Sequence, residues 1–302
     1  MKLDKRSLGR AMSGPGGAPL RLAYRAAVVV QLAAVTAGAR VAHRGPDAVD
    51  RAETARRVTV AVKTFERPEV ARRLVRGLRR VFDGRIVIAD DSREPMTHPD
   101  PEVDVIALPF NSGVSAGRQA ALDVVTTEYV LVTDDDIVFT EASDIDRARR
   151  TLDENPEIDV VGFLRVDLPG WSAHDHGDDA LFPGHDTPLR EWGTLVGGLP
   201  VRHKIAQVYL ARTEAIRAVG WDENIRMVDH RDFFSRAAGH LLVVQDASNH
   251  VYHARTPFNA GYTRYREQTD QDLAYLARVW GERAKHKRAA ERASRTTPPG
   301  QV

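Results

Sequence analysis

The sequence of 302 residues contains no cysteine and only four methionines, and aromatic residues make up 7% of it. The lack of cysteine excludes disulfide bonds, thiolate catalysis and cysteine-ligated zinc, and it is compatible with a reducing cytoplasm. Net charge is nearly absent, because 43 basic residues are balanced by 42 acidic ones. Such a balance provides no overall field that attracts nucleic acid. We therefore expect a cytoplasmic protein without a nucleic-acid partner.

Outside the predicted core strands, the sequence has no apolar run as long as a membrane span. Its most apolar segment, Ala26 to Ala39, is interrupted by Gln31 and Thr36 and is shorter than the ~20 residues that a spanning helix needs. The segment starts late for a signal peptide, and no clear cleavage site follows it. We expect an amphipathic or packing helix here. Basic residues are concentrated before residue 58 and after residue 280, which is compatible with peripheral membrane contact through the termini.

Strand-like and helix-like segments alternate through the middle of the chain. Apolar runs predict strands at Val58–Thr64, Arg85–Ala89, Val103–Leu108 and Ile158–Leu164, and helical periodicity predicts helices between them. Two shorter strand-like pieces follow at Leu241–Gln245 and His250–His253. This order predicts an α/β fold with a mostly parallel sheet and helices on both faces. We expect a domain over 58–255, a basic helical extension over 1–57, and a basic helix with a disordered tail over 256–302.

Three consecutive aspartates, Asp134, Asp135 and Asp136, follow the apolar run that begins at Tyr129. The run predicts a buried parallel strand, so the aspartates lie at its carboxyl end. Alternation along extended chain predicts that Asp134 and Asp136 point one way and Asp135 the other. Carboxylates this close raise one another's pKa unless a cation neutralises them. Hard oxygen ligands of this kind suit Mg²⁺ or Mn²⁺, whereas an isolated aspartate triplet is more often a solvated turn.

Other polar residues also fall at the carboxyl ends of predicted strands. In an open parallel sheet, ligands bind outside these ends. The side chains concerned therefore predict one shared site beside the aspartate triplet; they are Thr64, Asp90, Asp91 and Asn111.

The stretch from Asp167 to Pro200 is rich in Gly, Pro, Asp and His and shows no periodicity. This composition predicts a long loop in the second half of the domain. Loops of this length are functional lids or disordered segments. A second metal site is the alternative, but the spacing of its acidic and histidine residues matches no ligand motif, so a solvated loop is favoured. These residues are His174, Asp175, His176, Asp178, Asp179, His185 and Asp186.

Several motifs in order resemble the nucleotide-sugar half of family-two-like glycosyltransferases with the GT-A fold. They are Val60 to Arg67, Ile86 to Ser92, Leu108 to Gly113, Ala116 to Arg118 and Thr126 to Leu131. The aspartate strand and the downstream segment His230 to Phe234 are similar to those of the ganglioside-type β-N-acetylgalactosaminyltransferases. The resemblance covers about residues 58–255 and implies a nucleotide-sugar half over 58–140 and an acceptor half over 141–255, which contains the loop 167–200.

The resemblance implies roles for the residues at the strand ends. Asp136 would ligate the metal directly, and Asp134 and Asp135 would contact ribose or reach the ion through water. His253 resembles the third protein ligand, with His250 as its competitor. The remaining residues resemble donor contacts: Asp90 or its neighbour Asp91 for uracil, Thr64 and Arg67 for base and phosphate, and Arg118 for the diphosphate or uracil.

Glycosyl transfer also needs a base that takes the proton of the acceptor hydroxyl. Asp232 is the candidate, because Asp232-Phe233-Phe234 resembles the acidic-Phe-Phe segment of the family. Asp229, one helical turn earlier, is the alternative. The two phenylalanines are expected to pack the helix beneath the site, and Trp192 and Trp221 are either sugar-stacking or buried residues.

Together these residues predict an inverting glycosyltransferase that uses Mn²⁺ or Mg²⁺, a UDP-sugar such as UDP-GalNAc or a related hexose donor, and a glycan or small-molecule acceptor. A metal held by Asp134 and Asp136 would bridge the two phosphates and stabilise the departing UDP. A sugar nucleotidyltransferase is one alternative, although the sequence Thr64 to Arg67 lacks the glycine-rich loop expected there. A degenerate domain that only binds its ligand is the other.

Overall fold

The computed structural model describes residues 17–43, 47–173, 175–254, 265 and 269–296. In these ranges one sheet contains nine strands: β1 Val58–Thr64, β2 Ile86–Asp90, β3 Val103–Ala107, β4 Tyr129–Asp134, β5 Ile137–Val138, β6 Val160–Leu168, β7 Ser172–Ala173, β10 Val208–Arg212 and β11 Val243–Ala254. Their order is β3-β2-β1-β4-β10-β6-β11-β5, and β7 pairs with β6. A separate small hairpin contains β8 Leu195–Val196 and β9 Leu199–Pro200.

Helices cover the sheet and flank it at both ends of the chain. They are α1 Ala18–Ala42, α2 Ala48–Arg57, α3 Pro68–Leu78, α4 Val114–Asp123, α5 Ile145–Glu154, α6 Thr213–Val219, α7 Asp229–Ala237 and α8 Asp270–Thr296. Two apolar clusters form the main core. Leu74 and Leu78 of α3 lie in the first cluster, and Ala121 and Leu122 of α4 lie in the second.

The predicted parallel half of the sheet is confirmed. Strand β1 pairs in parallel with β2 and with β4, and β2 pairs in parallel with β3. All residues of β2, and all but the last of β4, are buried, as expected for apolar runs covered on both faces. Strand β10 is antiparallel to both β4 and β6, while β11 is parallel to β6. The carboxyl ends of β1, β2 and β4 therefore meet at one edge.

Three expectations for the second half are corrected. Strand β6 runs to Leu168, so Asp167 belongs to a strand and not to the predicted loop. The two predicted pieces near residues 241–253 form one strand, β11, whose register against β6 shifts between Asp246 and His250. The described residues in the rest of 167–200 contain a strand, a hairpin and one 3-10 turn at Asp178–Ala180. Short pieces with irregular connections carry no periodicity, which explains why they were missed.

The apolar segment near the N-terminus forms a longer helix than expected. Helix α1 has 25 residues and begins at Ala18, with a proline in its first turn. The prediction that this segment is too short to span a membrane is therefore wrong. By length and composition alone, α1 could cross a membrane. In the structure, however, one side of α1 packs on the domain through Val28 and Val35.

Candidate active site

The aspartate triplet lies where strand β4 ends. The strand stops at Asp134, and Asp135 and Asp136 form a turn before β5. Because the extended backbone ends at Asp134, the predicted alternation of the three aspartate side chains does not hold. Asp135 and Asp136 instead share one cation, since the guanidinium of Arg67 pairs with Asp135 and lies 3.4 Å from Asp136 Oδ2. Thr64 Oγ1 donates a 2.8 Å hydrogen bond to Asp135 Oδ2.

Each carboxylate of the triplet is paired with a cationic side chain. Arg67 pairs with Asp135 and Asp136, and Arg118 Nη2 lies 2.5 Å from Asp134 Oδ1. Burial raises the pKa of Asp135 to about 6, and Arg67 limits that rise. Asp134 is the most open of the three, with 36% of its side chain exposed. The edge of the sheet is therefore a strongly charged, mostly buried site.

His253 contacts Asp136 from strand β11. Its Nε2 lies 3.2 Å from Asp136 Oδ1, and its Nδ1 lies 2.8 Å from Asp167 Oδ1. Burial lowers the pKa of His253, but the carboxylates outweigh it and raise the pKa to about 9. The competitor His250 instead places Nε2 at 3.2 Å from the hydroxyl of Tyr252. Of the two histidines, the structure brings His253 to the triplet.

Asp167 was not recognised from the sequence as a member of this site. Its position follows from the parallel pairing of β6 and β11, in which His253 is the register partner of Asp167. A carboxylate that accepts a hydrogen bond from Nδ1–H leaves Nε2 as the nitrogen available to a metal. The only indication in the sequence was that Asp167 is an acidic residue near the end of an apolar strand. Its partner, His253, is 86 residues away along the chain.

The donor chemistry of the triplet and His253 fits a divalent cation. Among residues with described side chains, no three His, Asp or Glu residues form a complete metal-holding group by themselves. Asp136 and His253 supply one carboxylate oxygen and one imidazole nitrogen close together, and Asp134 is partly open to solvent. Mg²⁺ usually takes only one or two protein carboxylates and fills its other positions with water and substrate phosphates. These residues therefore suit an ion completed by a diphosphate.

The carboxylates of Asp90 and Asp91, at the end of β2, are buried, and both accept hydrogen bonds from backbone amides. Asp90 accepts hydrogen bonds from the amides of Ser92 at 2.9 Å and Met96 at 2.8 Å. Asp91 accepts one from the amide of Gly113 at 2.8 Å and pairs with Lys63. Asp90 thus fixes the loop after β2, while Asp91 joins β1 to the turn before α4.

Lys63 is a second residue that the sequence analysis did not assign. Burial lowers its pKa, and the carboxylate of Asp91 opposes that shift. The side chain passes over Gly117 of α4, where an added Cβ would clash with the Lys63 stem. The signal in the sequence was a lysine inside an otherwise apolar strand, three residues after Val60.

The turn that contains Asn111 connects β3 to α4. Asn111 has φ of 57°, and its carbonyl accepts a hydrogen bond from Arg226. Gly113 has φ of 107°, and a Cβ there would approach Arg226 Cα to 2.8 Å. The left-handed backbone and the close approach both favour glycine at this position. Asn111 therefore shapes the site through its backbone.

Helix α7 places its two aspartates in different surroundings. Asp229 pairs with Arg118, which also binds Asp134, so Asp229 is joined to the triplet through one guanidinium. Burial raises the pKa of Asp229, and Arg118 opposes that rise. Asp232 instead accepts hydrogen bonds from Trp280 Nε1 at 2.9 Å and Arg236 Nε at 2.7 Å. Neither partner of Asp232 is a predicted site residue, so Asp229 is the one of these two aspartates that the structure joins to the triplet.

Aromatic packing fixes helix α7 below the site, as expected from the sequence. Phe233 and Phe234 are fully buried, and Phe233 stacks on Trp221 with ring centroids 4.9 Å apart. Trp221 is therefore a core residue, with 6% exposure. Trp192 is 38% exposed, and the guanidinium of Arg202 lies 4.3 Å from its ring centroid.

We expect the substitution Asp90→Ala to lower the free energy of unfolding by about 1–3 kcal/mol, because it leaves buried amides without their acceptor. Urea unfolding followed by circular dichroism measures this loss. The control is Asp104→Ala, which removes an exposed pair with Arg85 and is expected to change stability by less than about 1 kcal/mol. Equal stability of Asp90→Ala and wild type would contradict the structural role.

The sequence of this chain is similar to those of known glycosyltransferases. Residues 59–195 match the family described as Glycosyl transferase family 2. Beta-1,4 N-acetylgalactosaminyltransferase 1 of Rattus norvegicus is 33% identical over 240 residues, which are 73% of this chain and 45% of the relative. The Homo sapiens protein of that name is 34% identical over the same shares. Beta-1,4 N-acetylgalactosaminyltransferase 2 of Mus musculus is 31% identical over 238 residues, 72% of this chain and 45% of the relative.

Solved structures show the same fold at lower identity. The crystal structure of S. aureus TarS 1-349 has a TM-score of 0.52 and 18% identity, and the match covers 65% of this chain and 60% of that one. The structure of that fragment in complex with UDP-GlcNAc has a TM-score of 0.51 and 17% identity, with coverage of 65% and 58%.

The sheet and the solved structures define a GT-A fold. Residues 59–195 contain a glycosyltransferase family 2 domain, so the predicted resemblance to this family is confirmed. The chain spans about half the length of the curated relatives that it matches.

Proposed function

We propose that this protein is a metal-dependent, inverting glycosyltransferase that moves a sugar from a UDP-sugar to a hydroxyl group of a glycan or small-molecule acceptor. The observation that carries the proposal is the meeting of Asp136, His253 and the Arg118–Asp229 pair at the carboxyl edge of the sheet. The similarity to enzymes named N-acetylgalactosaminyltransferases supports N-acetylgalactosamine or a related hexose as the sugar.

The proposed metal is Mn²⁺ or Mg²⁺, held by Asp136 and His253 with Asp134 beside them. When bound, a divalent cation neutralises the diphosphate and stabilises the charge that develops on departing UDP. Arg67 and Arg118 add positive charge to the same edge, and a guanidinium binds phosphate oxygens through paired donors. Thr64, Asn111, Asp90 and Asp91 shape the adjoining nucleotide pocket, and Asp135 holds Arg67 in place.

Asp229 is proposed as the base. In an inverting transfer the acceptor oxygen attacks the anomeric carbon, the bond to UDP breaks on the opposite face, and a carboxylate takes the hydroxyl proton. Burial raises the pKa of Asp229 and so increases its basicity once Arg118 turns to the phosphates. Asp232, in contrast, is proposed to hold α8 on the domain through Trp280.

The test is release of UDP from a panel of UDP-sugars by the full chain with Mn²⁺, in parallel with thermal unfolding. We expect one or a few UDP-sugars to raise the melting temperature through mass action and to release UDP slowly even without an acceptor. Consumption of a nucleoside triphosphate with release of pyrophosphate would identify a nucleotidyltransferase instead. Binding of a UDP-sugar without any turnover, with or without acceptors, would identify a binding domain.

We expect Asp167→Asn to weaken Mn²⁺ binding in the presence of UDP by about 10–100-fold, because a neutral amide replaces the carboxylate that orients His253 and raises the basicity of its ring. Titration of Mn²⁺ followed by electron paramagnetic resonance measures the affinity directly. The matched control is Asp175→Asn, whose carboxylate pairs with Arg202 at 2.8 Å and is half exposed. Unchanged Mn²⁺ affinity in Asp167→Asn would show that Asp167 does not orient the ligand.

A further inference from the structure

Gln207 is a buried residue whose side-chain amide is not used by the fold. It is 5% exposed, and neither Oε1 nor Nε2 has a hydrogen-bond partner among the described residues. A primary amide has an acceptor oxygen and a donor nitrogen, so burying it without any partner lowers stability. Buried side-chain amides are normally satisfied by the protein or by a bound molecule. Gln207 therefore indicates a place for a polar ligand.

The neighbours of Gln207 show on which face of the sheet its side chain lies. Ala206 and Val208, which flank it, are buried in the first apolar cluster, together with residues of α3. Ile205 and Tyr209 are buried in the second cluster, together with residues of α4 and α7. Burial thus alternates between the two faces along this segment. The side chain of Gln207 therefore lies on the face that α4 and α7 cover.

Strand β10 brings Gln207 to the aspartate triplet. Gln207 directly precedes this strand, whose first residue, Val208, is the register partner of Thr133 in β4. The two strands are antiparallel, so the residue before Val208 lies beside the residue after Thr133, which is Asp134. The side chain of Asp134 is 36% exposed, so this end of β4 is open to solvent. Gln207 is therefore a neighbour of the open part of the site.

The first turn of helix α7 is attached to the same segment. His230, which follows Asp229, places Nε2 2.6 Å from the carbonyl oxygen of Ile205. The hydroxyl of Tyr209 is fully buried, and within the described part of the chain it too has no hydrogen-bond partner. Burial raises the pKa of this hydroxyl, and the nearby carboxylate of Asp229 adds to the rise. Two unsatisfied polar groups, the hydroxyl and the Gln207 amide, therefore lie close to the proposed base.

The reaction proposed above determines which ligand meets these groups. The base takes the proton of the hydroxyl that attacks the anomeric carbon, and the metal holds the diphosphate that leaves on the opposite face. The transferred sugar therefore lies between the metal and Asp229. In the structure Arg118 pairs with both Asp134 and Asp229 across this space. When Arg118 turns to the phosphates, the sugar takes its place beside Gln207.

We propose that Gln207 binds the transferred sugar of the donor and so selects among UDP-sugars. This inference rests on the proposed function. A carboxamide both donates and accepts hydrogen bonds, and so do the hydroxyl and N-acetyl groups of a hexose. UDP alone has no group that reaches Gln207, so the contribution of the amide is measured only when the sugar is present. Donors that leave the amide unpaired are rejected.

The experiment compares the affinities for UDP and for UDP-N-acetylgalactosamine, measured by calorimetry with Mn²⁺, in the full chain and in its Gln207→Met variant. Methionine has a similar size and lacks the amide. The affinity for UDP is expected to equal that of the wild type, whereas the affinity for UDP-N-acetylgalactosamine falls about tenfold or more. Without ligand, the melting temperature of Gln207→Met is expected to rise, because an apolar side chain replaces a buried amide that has no partner.

The matched control is Gln119→Met, which removes an amide that the fold does use. Gln119 accepts a hydrogen bond of 2.9 Å from the backbone amide of Trp221 and donates one of 2.7 Å to Asp123. Its loss is expected to lower the melting temperature and to leave both affinities unchanged. Gln207→Asn keeps an amide but is one methylene shorter, so it is also expected to weaken binding of UDP-N-acetylgalactosamine. This second variant provides the test if methionine disturbs folding.

Three results for Gln207→Met would overturn the proposal. An equal loss of affinity for UDP and UDP-N-acetylgalactosamine would mean that the side chain contacts the nucleotide. Unchanged affinities with a raised melting temperature would mean that the amide binds only water, and unchanged affinities with a lowered melting temperature would mean a structural role. None of these results affects the proposed transfer, which UDP release by the wild type tests separately. A wild type that binds UDP but no UDP-sugar would overturn both proposals.

Discussion

Replacing Asp229 by asparagine is expected to reduce sugar transfer by roughly two to four orders of magnitude, the usual contribution of a positioned base. Asparagine keeps the size of the side chain and accepts a hydrogen bond from Arg118, but it cannot take a proton from the acceptor. Donor binding is expected to change much less, because Asp136 and His253 remain in place. Transfer rates and donor affinity are measured by UDP release and by calorimetry.

The matched variant is Asp232→Asn, on the same helix one turn later. Its carboxylate binds Trp280 and Arg236, so we expect a loss of stability with most of the activity kept at low temperature. A large loss of transfer in Asp232→Asn with wild-type stability, together with an active Asp229→Asn, would contradict the assignment and identify Asp232 as the base.

The second large effect is expected for Asp136→Ala. Asp136 is the carboxylate nearest to His253, so its removal is expected to abolish the Mn²⁺-dependent part of UDP binding and with it the transfer. The fold is expected to survive, because Arg67 keeps Asp135 and His253 keeps Asp167 as partners. Calorimetric titration of UDP with and without Mn²⁺ measures the binding, and circular dichroism checks the fold.

Asp123→Ala is the control for this variant, since Asp123 is an exposed residue at the end of α4. It is expected to bind UDP with the affinity and metal dependence of the wild type. If Asp136→Ala also keeps Mn²⁺-dependent affinity for UDP, the metal is held elsewhere on the molecule.

Local patterns in the sequence were sufficient to predict the parallel half of the sheet. The strands β1, β2 and β4 are apolar runs that end in polar residues, so the edge at which Thr64, Asp90 and Asp134 meet follows from the pattern. The burial of Phe233 and Phe234 was expected from the resemblance of Asp232-Phe233-Phe234 to the family segment, and it is confirmed.

Contacts between distant segments could not be predicted. The pairing of Asp167 with His253 depends on the register between β6 and β11, which no local pattern encodes. The choice between Asp229 and Asp232 depends on Arg118 and Trp280, which are 111 and 48 residues away from their partners. The length of helix α1 was underestimated because the apolar run is bounded by Arg25 and Arg40, whereas the helix continues past both arginines.

The most direct test of the central claim is a calorimetric titration of UDP into the wild-type chain with Mn²⁺ and, in parallel, with EDTA. Metal-dependent donor binding at the carboxyl edge of the sheet predicts saturable binding of one UDP per chain with Mn²⁺ and a large loss of affinity with EDTA. Equal affinity under the two conditions would show that the arginines bind the diphosphate without a metal and would contradict the account.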